Sequence, residues 1–270
     1  MVESLDSLLV IVVLCMLVGV VQGFLAGLLG IGGGIVLVPV FLLLLPHLNI
    51  PTEMAIHIAI GTSLGAIILT SYSAALGHRK RGNISWPVAR ALLPGIIIGS
   101  ISGGFIADGM SAETLTRIFA IFLLLMALKM VLPVNTSRER PLPSPSILFF
   151  SAMAIGAFSA LMGIGGGVIL VPFLTFFGLE MRKSIGCAAA AGIAVALFGC
   201  LSYVIAGWNE PGLPQYAVGY VYLPALFGVI ATAIFTARLG VKAAAILPIK
   251  LLKRIFAAFM TFIGLRLLLG

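Results

Sequence analysis

The residues of this chain that are best suited to bind a ligand are two clusters of glycine. Gly30-Ile31-Gly32-Gly33-Gly34 opens an apolar run that reaches Pro39, and Gly163-Ile164-Gly165-Gly166-Gly167 opens a nearly identical run that reaches Pro172. A glycine cluster in an apolar segment interrupts a helix, and the helix that follows offers unpaired N–H groups and the positive end of its dipole. Glycine also lets the backbone approach a ligand closely. We therefore predict that the clusters bind an anion.

Hydroxyl groups within the apolar segments can add donors to such a site. Thr62 and Ser63 follow Gly61, and we predict that this pair binds anion oxygens, although most hydroxyls in membrane helices bond their own preceding turn or a neighbouring helix. Gln22, about two turns before the first cluster, can bond there or across the bundle. The predicted substrate-binding residues are Gly30, Gly32, Gly33, Gly34, Thr62, Ser63, Gly163, Gly165, Gly166 and Gly167.

The context of the glycine clusters bears on two other interpretations. Small residues allow close packing of membrane helices, so the glycines can serve packing alone. A phosphate-binding loop is excluded, because no Lys-Ser or Lys-Thr pair follows the glycines and no βαβ unit surrounds them. Pro39 and Pro172 favour a first helical turn, so the helix after each cluster can begin either at the glycines or near the proline.

The sequence offers little for catalysis, and we predict that the protein is not an enzyme and holds no cofactor or metal. It has no His-Glu-x-x-His motif, no Gly-x-Ser-x-Gly motif and no paired Cys and His ligands. No Asp or Glu falls clearly in the middle of a predicted membrane crossing. A relay of buried carboxylates for protons is therefore not visible.

Composition and charge place the chain in a membrane. Of its 270 residues, 61% are hydrophobic and 9% are charged, which leaves too little polar surface for a water-soluble fold. Long apolar segments alternate with short polar loops, which predicts membrane helices in contact with a lipid bilayer rather than β-strands. The net charge of +8 fits basic cytoplasmic loops, and no basic stripe with interleaved aromatics suggests nucleic acid as a partner.

The apolar segments fall into two similar units. We predict an all-α polytopic membrane protein of two inverted repeats, each with a re-entrant helical hairpin, tipped by glycine, and three transmembrane helices. The first repeat covers 1–133, with its hairpin at 8–45 and helices at 55–76, 87–107 and 115–132. The second covers 147–270, with its hairpin at 147–178 and helices at 184–206, 217–236 and 251–269. Residues 134–146, rich in Pro, Ser and charge, form a cytoplasmic linker.

Loop charge predicts the inversion. The basic loops at 78–81, 138–140, 182–183 and 238–242 can all be cytoplasmic if each hairpin returns to the side that it entered. Each repeat then crosses an odd number of times, so the second begins on the opposite side from the first. Hairpins that enter from opposite faces bring their glycine tips, 30–34 and 163–167, together near mid-membrane.

At these residues the chain resembles the sulfite exporter TauE/SafE family. The likeness lies in Gly27-Leu28-Leu29-Gly30-Ile31-Gly32-Gly33-Gly34 and its second copy, in Gly61-Thr62-Ser63-Leu64, and in the unit ends at 117–132 and 254–269. The resemblance implies a permease that moves sulfite, thiosulfate or an organosulfonate across a bacterial inner membrane. One departure from the family pattern is the alanine run at 188–191, where hydroxyls often occur.

We expect a secondary transporter that works by alternating access, with the anion held between the two glycine tips. An anion channel and a non-transporting membrane scaffold subunit are the alternatives. The sequence leaves open which sulfur anion moves, the direction of transport, any coupling ion, the oligomeric state and the side of the N-terminus.

Overall fold

A computed structural model describes residues 5–29, 33–48, 50–131, 142–243 and 249–269 of the chain. Within these ranges the protein is nearly all helical, as the sequence predicts. Its elements in chain order are α1 (Leu5–Leu29), α2 (Gly34–Leu44), a 3₁₀ turn (Leu45–Leu48), α3 (Thr52–Lys80), α4 (Trp86–Asp108), α5 (Ala112–Val131), α6 (Pro145–Leu161), α7 (Gly167–Phe176), α8 (Met181–Ala206), β1 (Ala217–Val218), β2 (Val221–Tyr222), α9 (Leu223–Ala243) and α10 (Ile249–Leu269). Most of the predicted linker, 134–141, and two predicted site residues, Gly30 and Gly32, lie outside the described residues.

Among the described residues, three helices, α3, α4 and α8, are long and apolar enough to span a membrane. Shorter apolar stretches of the described residues include Val10–Ala26 in α1, Leu223–Ala237 in α9 and Ala257–Leu269 in α10. Helix α2 has 11 residues and α7 has 10. At about 1.5 Å per residue, each reaches roughly half-way through a hydrocarbon core of ~30 Å. Both helices begin at the glycines, Gly34 and Gly167, with the proline inside the helix.

Helices from the two halves of the chain interleave. Helix α1 packs along α9 and α6 packs along α4, while α2 packs on α3 and α7 packs on α8. Helices α3 and α8 pair with each other, as do α5 and α10. If α1 to α5 are matched in order with α6 to α10, each of these pairings has a counterpart. The predicted hairpins correspond to α1–α2 and α6–α7, and we call α1 and α6 their long arms. Each long arm contacts a helix of the other half, and the two halves share one core.

Glycines let the long arms pack closely on their partners. Gly19 of α1 lies against α9, where an added Cβ would meet the Val229 Cα at 2.9 Å, and Gly99 of α4 lies in the same way against α6. The Thr232 hydroxyl of α9 donates to the Met16 carbonyl of α1 (2.7 Å). Close approach through small residues, with hydroxyl bonds between helices, is how helices associate in lipid.

Helix α3 forms the centre of the bundle. Every residue from 55 to 67 is buried. The outer helices instead expose large apolar side chains, among them Phe227 (63%) and Phe262 (65%), as expected of a surface that contacts lipid. The same outer surface carries an open apolar groove on α4, lined by Ile98, Ile101, Ser102, Phe105 and Ile106.

One predicted crossing, 217–236, begins later than the sequence analysis places it. Its first residues, 217–222, form a short antiparallel hairpin of β1 and β2, and the helix starts at Leu223. Gly219 has a φ of 55° at the first central position of the two-residue turn, as a type II′ hairpin turn requires. Tyr216, just before β1, also has a positive φ (68°), which a helix does not allow. The apolar composition of the segment concealed these turns.

Candidate functional site

The tips of the two hairpins lie against each other near the middle of the bundle. A Cβ placed at Gly34 would collide with the carbonyl oxygen of Gly163. Both tips contact Ile67, close to the midpoint of α3, since a Cβ at Gly165 would lie 3.0 Å from Ile67 Cγ2 and one at Gly34 would collide with Ile67 Cδ1. The second tip also adjoins the middle of α8, where the Cβ position of Gly192 is 2.7 Å from the Gly165 carbonyl oxygen. This close approach requires glycine at the tips.

Each short helix begins directly after a glycine in the left-handed conformation. Gly33 has φ 73° and ψ −18°, and Gly166 has φ 72° and ψ −22°. Among the described residues no side chain caps either helix, and the first helical amides that bond back to these glycines are those of Val36 (3.1 Å) and Ile169 (3.2 Å). The N–H groups of the first two residues of each helix therefore have no partner within it. A left-handed residue followed by a helical one turns successive N–H groups toward one side, and such concavities bind anions.

The second tip is held by the end of α6. Gly163 (φ 66°) closes that helix in a Schellman motif, in which the Ile164 N–H donates to the Ser159 carbonyl (2.9 Å) and the Gly163 N–H to the Ala160 carbonyl (3.2 Å). These bonds satisfy carbonyls at the end of α6 without water. The left-handed conformation at Gly163 and Gly166 is open to glycine and strained for other residues. The conformation of this tip is therefore fixed by its own backbone.

The predicted hydroxyl pair, Thr62 and Ser63, contacts the protein backbone in this structure. Ser63 Oγ donates a hydrogen bond to the carbonyl oxygen of Gly163 (2.9 Å). Thr62 Oγ1 accepts a hydrogen bond from the Tyr222 N–H (3.0 Å). Ser63 thus holds the second tip against α3, and Thr62 holds the β-hairpin there.

Gly165 and Gly167 differ in their surroundings. Gly165 is enclosed, and its Cβ position lies 3.5 Å from Ser71 Oγ of α3. Gly167 has no atom of the described chain within 4 Å of its Cβ position. It lies two turns before the fully buried Leu174, on the same face of α7. The described residues therefore leave the start of α7 open on the side that faces the bundle.

Two further polar side chains belong to the tips: Gln22, whose role the sequence leaves open, and Ser159, which the sequence does not single out. Both residues are 0% exposed, and neither the Gln22 amide nor the Ser159 hydroxyl has a hydrogen-bond partner in the described part of the chain. A Cβ at Gly33 would collide with the Gln22 amide nitrogen, and Ser159 Oγ lies 3.6 Å from the Cβ position of Gly166. Each hairpin thus places one unpaired polar group beside its left-handed glycine.

A separate polar cluster anchors the β-hairpin to α3 and α4. The Tyr220 hydroxyl donates to Asp108 Oδ1 (3.0 Å), and the Tyr220 ring stacks on His57 with 5.1 Å between centroids. His57 Nε2 lies 3.0 Å from the Ala107 carbonyl oxygen. Burial, and then the hydrogen bond to Asp108, raise the pKa of Tyr220 well above its usual value, so the phenol stays neutral and keeps its proton to donate. The cluster ties one end of the bundle together.

Charge near the tips is sparse. In α3 the charged residues are Glu53, Arg79 and Lys80, in α8 they are Arg182 and Lys183, and α2, α6 and α7 have none. Over the described ranges no group of His, Cys, Asp and Glu side chains is placed to hold a metal ion. The donors at the tips are therefore backbone amides and neutral side chains, which can bind an anion through hydrogen bonds and helix dipoles.

Comparison with known proteins identifies the family of this chain. The family model described as Sulfite exporter TauE/SafE matches residues 15–267. The chain belongs to the sulfite exporter TauE/SafE family. The resemblance seen in the glycine tips is thereby confirmed, and this TauE/SafE protein is a multi-pass membrane transporter.

Relatives of this TauE/SafE protein carry similar descriptions. A probable membrane transporter protein of Haemophilus influenzae is 39% identical over 263 residues, which cover 96% of this chain and 98% of that protein. A probable membrane transporter protein of Methanocaldococcus jannaschii is 27% identical over 266 residues, 97% of each chain. One of Xylella fastidiosa is 33% identical over 196 residues, 68% of this chain and 69% of that protein. No solved structure matches the chain.

Proposed function

We propose that this TauE/SafE protein is a secondary transporter that moves a small sulfur-containing oxyanion across the membrane by alternating access. The anion is sulfite, thiosulfate or an organosulfonate, and it is held between the two glycine tips. One observation carries the proposal: two helices begin at left-handed glycines on adjoining tips, and each leaves N–H groups without a partner inside its helix.

The shape of a sulfur oxyanion suits two such helix starts. A sulfite or sulfonate group carries three oxygens on one sulfur, so separate oxygens can accept hydrogen bonds from the two tips at once. Hydrogen bonds from amides to an ionised oxygen are stronger than those between neutral groups. The family description names sulfite, which supports sulfur as the central atom.

Alternating access is supported by a difference between the two hairpins. Residues 35–39 of α2 are all buried, whereas four of the matching residues of α7, 168, 169, 171 and 172, are partly exposed. In a carrier built from inverted repeats and open to one side, the two equivalent hairpins are expected to differ in burial. If the buried and the partly exposed hairpin exchange these states, the other side opens. In the predicted topology α7 returns to the cytoplasm, so this state opens inward.

Counterflow in proteoliposomes tests the proposal. Purified protein is reconstituted, the vesicles are loaded with unlabelled sulfite, thiosulfate or methanesulfonate, and entry of the labelled anion is followed. We expect entry that saturates with concentration and is accelerated by the internal anion. Gly77→Leu is the matched control for leucine substitutions at the tip glycines Gly33 and Gly166. Gly77 lies in α3 with no described atom within 4 Å of its Cβ position, so leucine there should leave counterflow unchanged.

The alternatives give different results in the same vesicles. An anion channel produces current that follows voltage without saturation and shows no counterflow. A scaffold subunit produces no flux of any anion. Either result contradicts the proposed function.

A further inference from the structure

Gln22 and Ser159 are polar side chains at the tips whose role the fold leaves unexplained. Both are fully buried, and the described residues offer no hydrogen-bond partner to either. Burying a polar group without a partner is unfavourable, and most buried polar groups in native proteins are paired. Each of these two lies beside unpaired N–H groups at the start of a short helix. A ligand bound at the tips would supply the partner that the described residues do not.

We propose that Gln22 and Ser159 donate hydrogen bonds to the transported anion, one from each hairpin, and that the completed site takes a singly charged head group. The inference rests on the proposed function. The Gln22 amide lies against Gly33, and Ser159 Oγ lies 3.6 Å from the Cβ position of Gly166. An amide and a hydroxyl each add a donor without adding charge.

The charge that such a site can balance is about one unit. Each helix start is equivalent to roughly half a positive charge, so the two tips together supply about one. A sulfonate or bisulfite ion, with one negative charge, matches this. Sulfate, thiosulfate and the doubly charged form of sulfite each leave a further negative charge unbalanced in a low-dielectric interior, which is strongly unfavourable. Among the anions of the proposed function, the charge rule therefore favours bisulfite and the organosulfonates over thiosulfate.

The described basic residues of α3 and α8, the long helices that contact the second tip, lie far from it along their helices. Arg79 of α3 and Lys183 of α8 lie at least about 12 Å along their helices from the residues that contact the tips. The described side chains around Gln22 and Ser159 therefore add no positive charge.

Anion binding to the purified, full-length protein by calorimetry tests the charge rule. Methanesulfonate carries one negative charge and sulfate two across the neutral range, whereas sulfite passes from one to two as the pH rises through neutrality. We expect methanesulfonate affinity to be the same at weakly acidic and weakly basic pH, and sulfite affinity to fall over that interval. Sulfate is expected to bind at least about tenfold more weakly than methanesulfonate.

The outcomes separate this inference from the function on which it rests. Sulfate that binds as tightly as methanesulfonate overturns the charge rule and leaves an anion transporter standing. A protein that binds none of the three anions overturns the proposed function, and this inference with it.

Two variants test the donors themselves. Gln22→Leu and Ser159→Ala are each expected to weaken methanesulfonate binding about fivefold to tenfold. Neither should lower the melting temperature of the anion-free protein, because each removes an unpaired buried polar group. Ser202→Ala is the matched control, since the buried Ser202 hydroxyl donates within its own helix to the Gly199 carbonyl (2.7 Å) and should leave affinity unchanged.

Unchanged affinity in both tip variants overturns the assignment of the donors. If Gln22→Leu does not fold, Ser159→Ala decides alone, because it removes a single oxygen atom from a well-packed site.

Discussion

Replacing Gly167 by alanine separates a ligand-binding role of the second tip from a packing role. Gly167 is the first residue of α7, and its φ is not positive, so any L-amino acid can adopt its backbone conformation. No atom of the described chain lies within 4 Å of an added Cβ. The methyl group therefore fits without moving a neighbour. Alanine in the middle of a helix is about 0.5–1 kcal/mol more stable than glycine, and the gain at the first helical residue is at most of this size. We expect the melting temperature of Gly167→Ala to be unchanged or slightly raised.

Anion binding is expected to fall in the same variant. Because Cα–Cβ bonds tilt toward the start of a helix, the methyl group lies beside the unpaired N–H groups of Gly167 and Val168. Loss of one hydrogen bond to a charged acceptor is worth about 1.5–3 kcal/mol, which corresponds to about a 10- to 150-fold loss of affinity. The prediction is thus a protein that is as stable as the wild type and binds its anion poorly.

Calorimetry with methanesulfonate, counterflow in proteoliposomes and a thermal melt measure the three quantities. Gly77→Ala is the control, since Gly77 also has open space at its Cβ position but lies near the end of α3, away from the tips. A Gly167→Ala protein with wild-type stability, affinity and counterflow would refute an anion site at the start of α7. The glycines of that tip would then serve packing alone.

Other substitutions give further expectations. Gly33→Leu and Gly166→Leu should each abolish counterflow in protein that still inserts into membranes, because leucine strains a left-handed residue and fills the site; full activity in both would contradict the site. Ser63→Ala should lower the free energy of unfolding by about 1–2 kcal/mol, and transport with it, since the Gly163 carbonyl loses its donor. An unaltered melting temperature would show that this bond does not hold the tip. Tyr220→Phe should cost about 1–2 kcal/mol through the lost bond to Asp108 while anion affinity stays constant, as thermal melts and calorimetry would show.

The helices and the short arms could be predicted because their signals are local. An apolar run of a given length predicts a helix, and the glycine clusters mark where each arm is interrupted. The sequence could not decide whether α2 begins at Gly34 or near Pro39. The left-handed Gly33 decides it, because it turns the chain so that the next residue enters the helix.

The β-hairpin at 217–222 lies beyond prediction by hydropathy. Its residues are apolar or aromatic like many in the helix that follows. Its turn depends on a positive φ at Gly219, and the chain enters the hairpin through a positive φ at Tyr216, neither of which composition reveals. The hairpin is held by contacts distant in sequence, such as the bond from the Tyr222 N–H to Thr62. Such contacts exist only once the bundle has assembled.

The polar groups at the tips were only partly accessible from the sequence. Thr62 and Ser63 stand out because they follow a glycine, but their partners, Tyr222 and Gly163, are fixed by the fold. Comparison of the repeats does not reveal Ser159, since the spacing of the glycine clusters matches it with Ala26. Each hairpin places its polar group at a different turn, so the two halves share a backbone design and differ in side chains.

Anomalous diffraction from crystals grown with 2-bromoethanesulfonate tests most directly whether an anion binds between the two tips. The proposed site predicts bromine signal at the adjoining tips, with the sulfonate oxygens within hydrogen-bond distance of the first amides of α2 and α7. Bromine signal confined to the outer groove on α4, or anion density remote from Gly34 and Gly167, would contradict it.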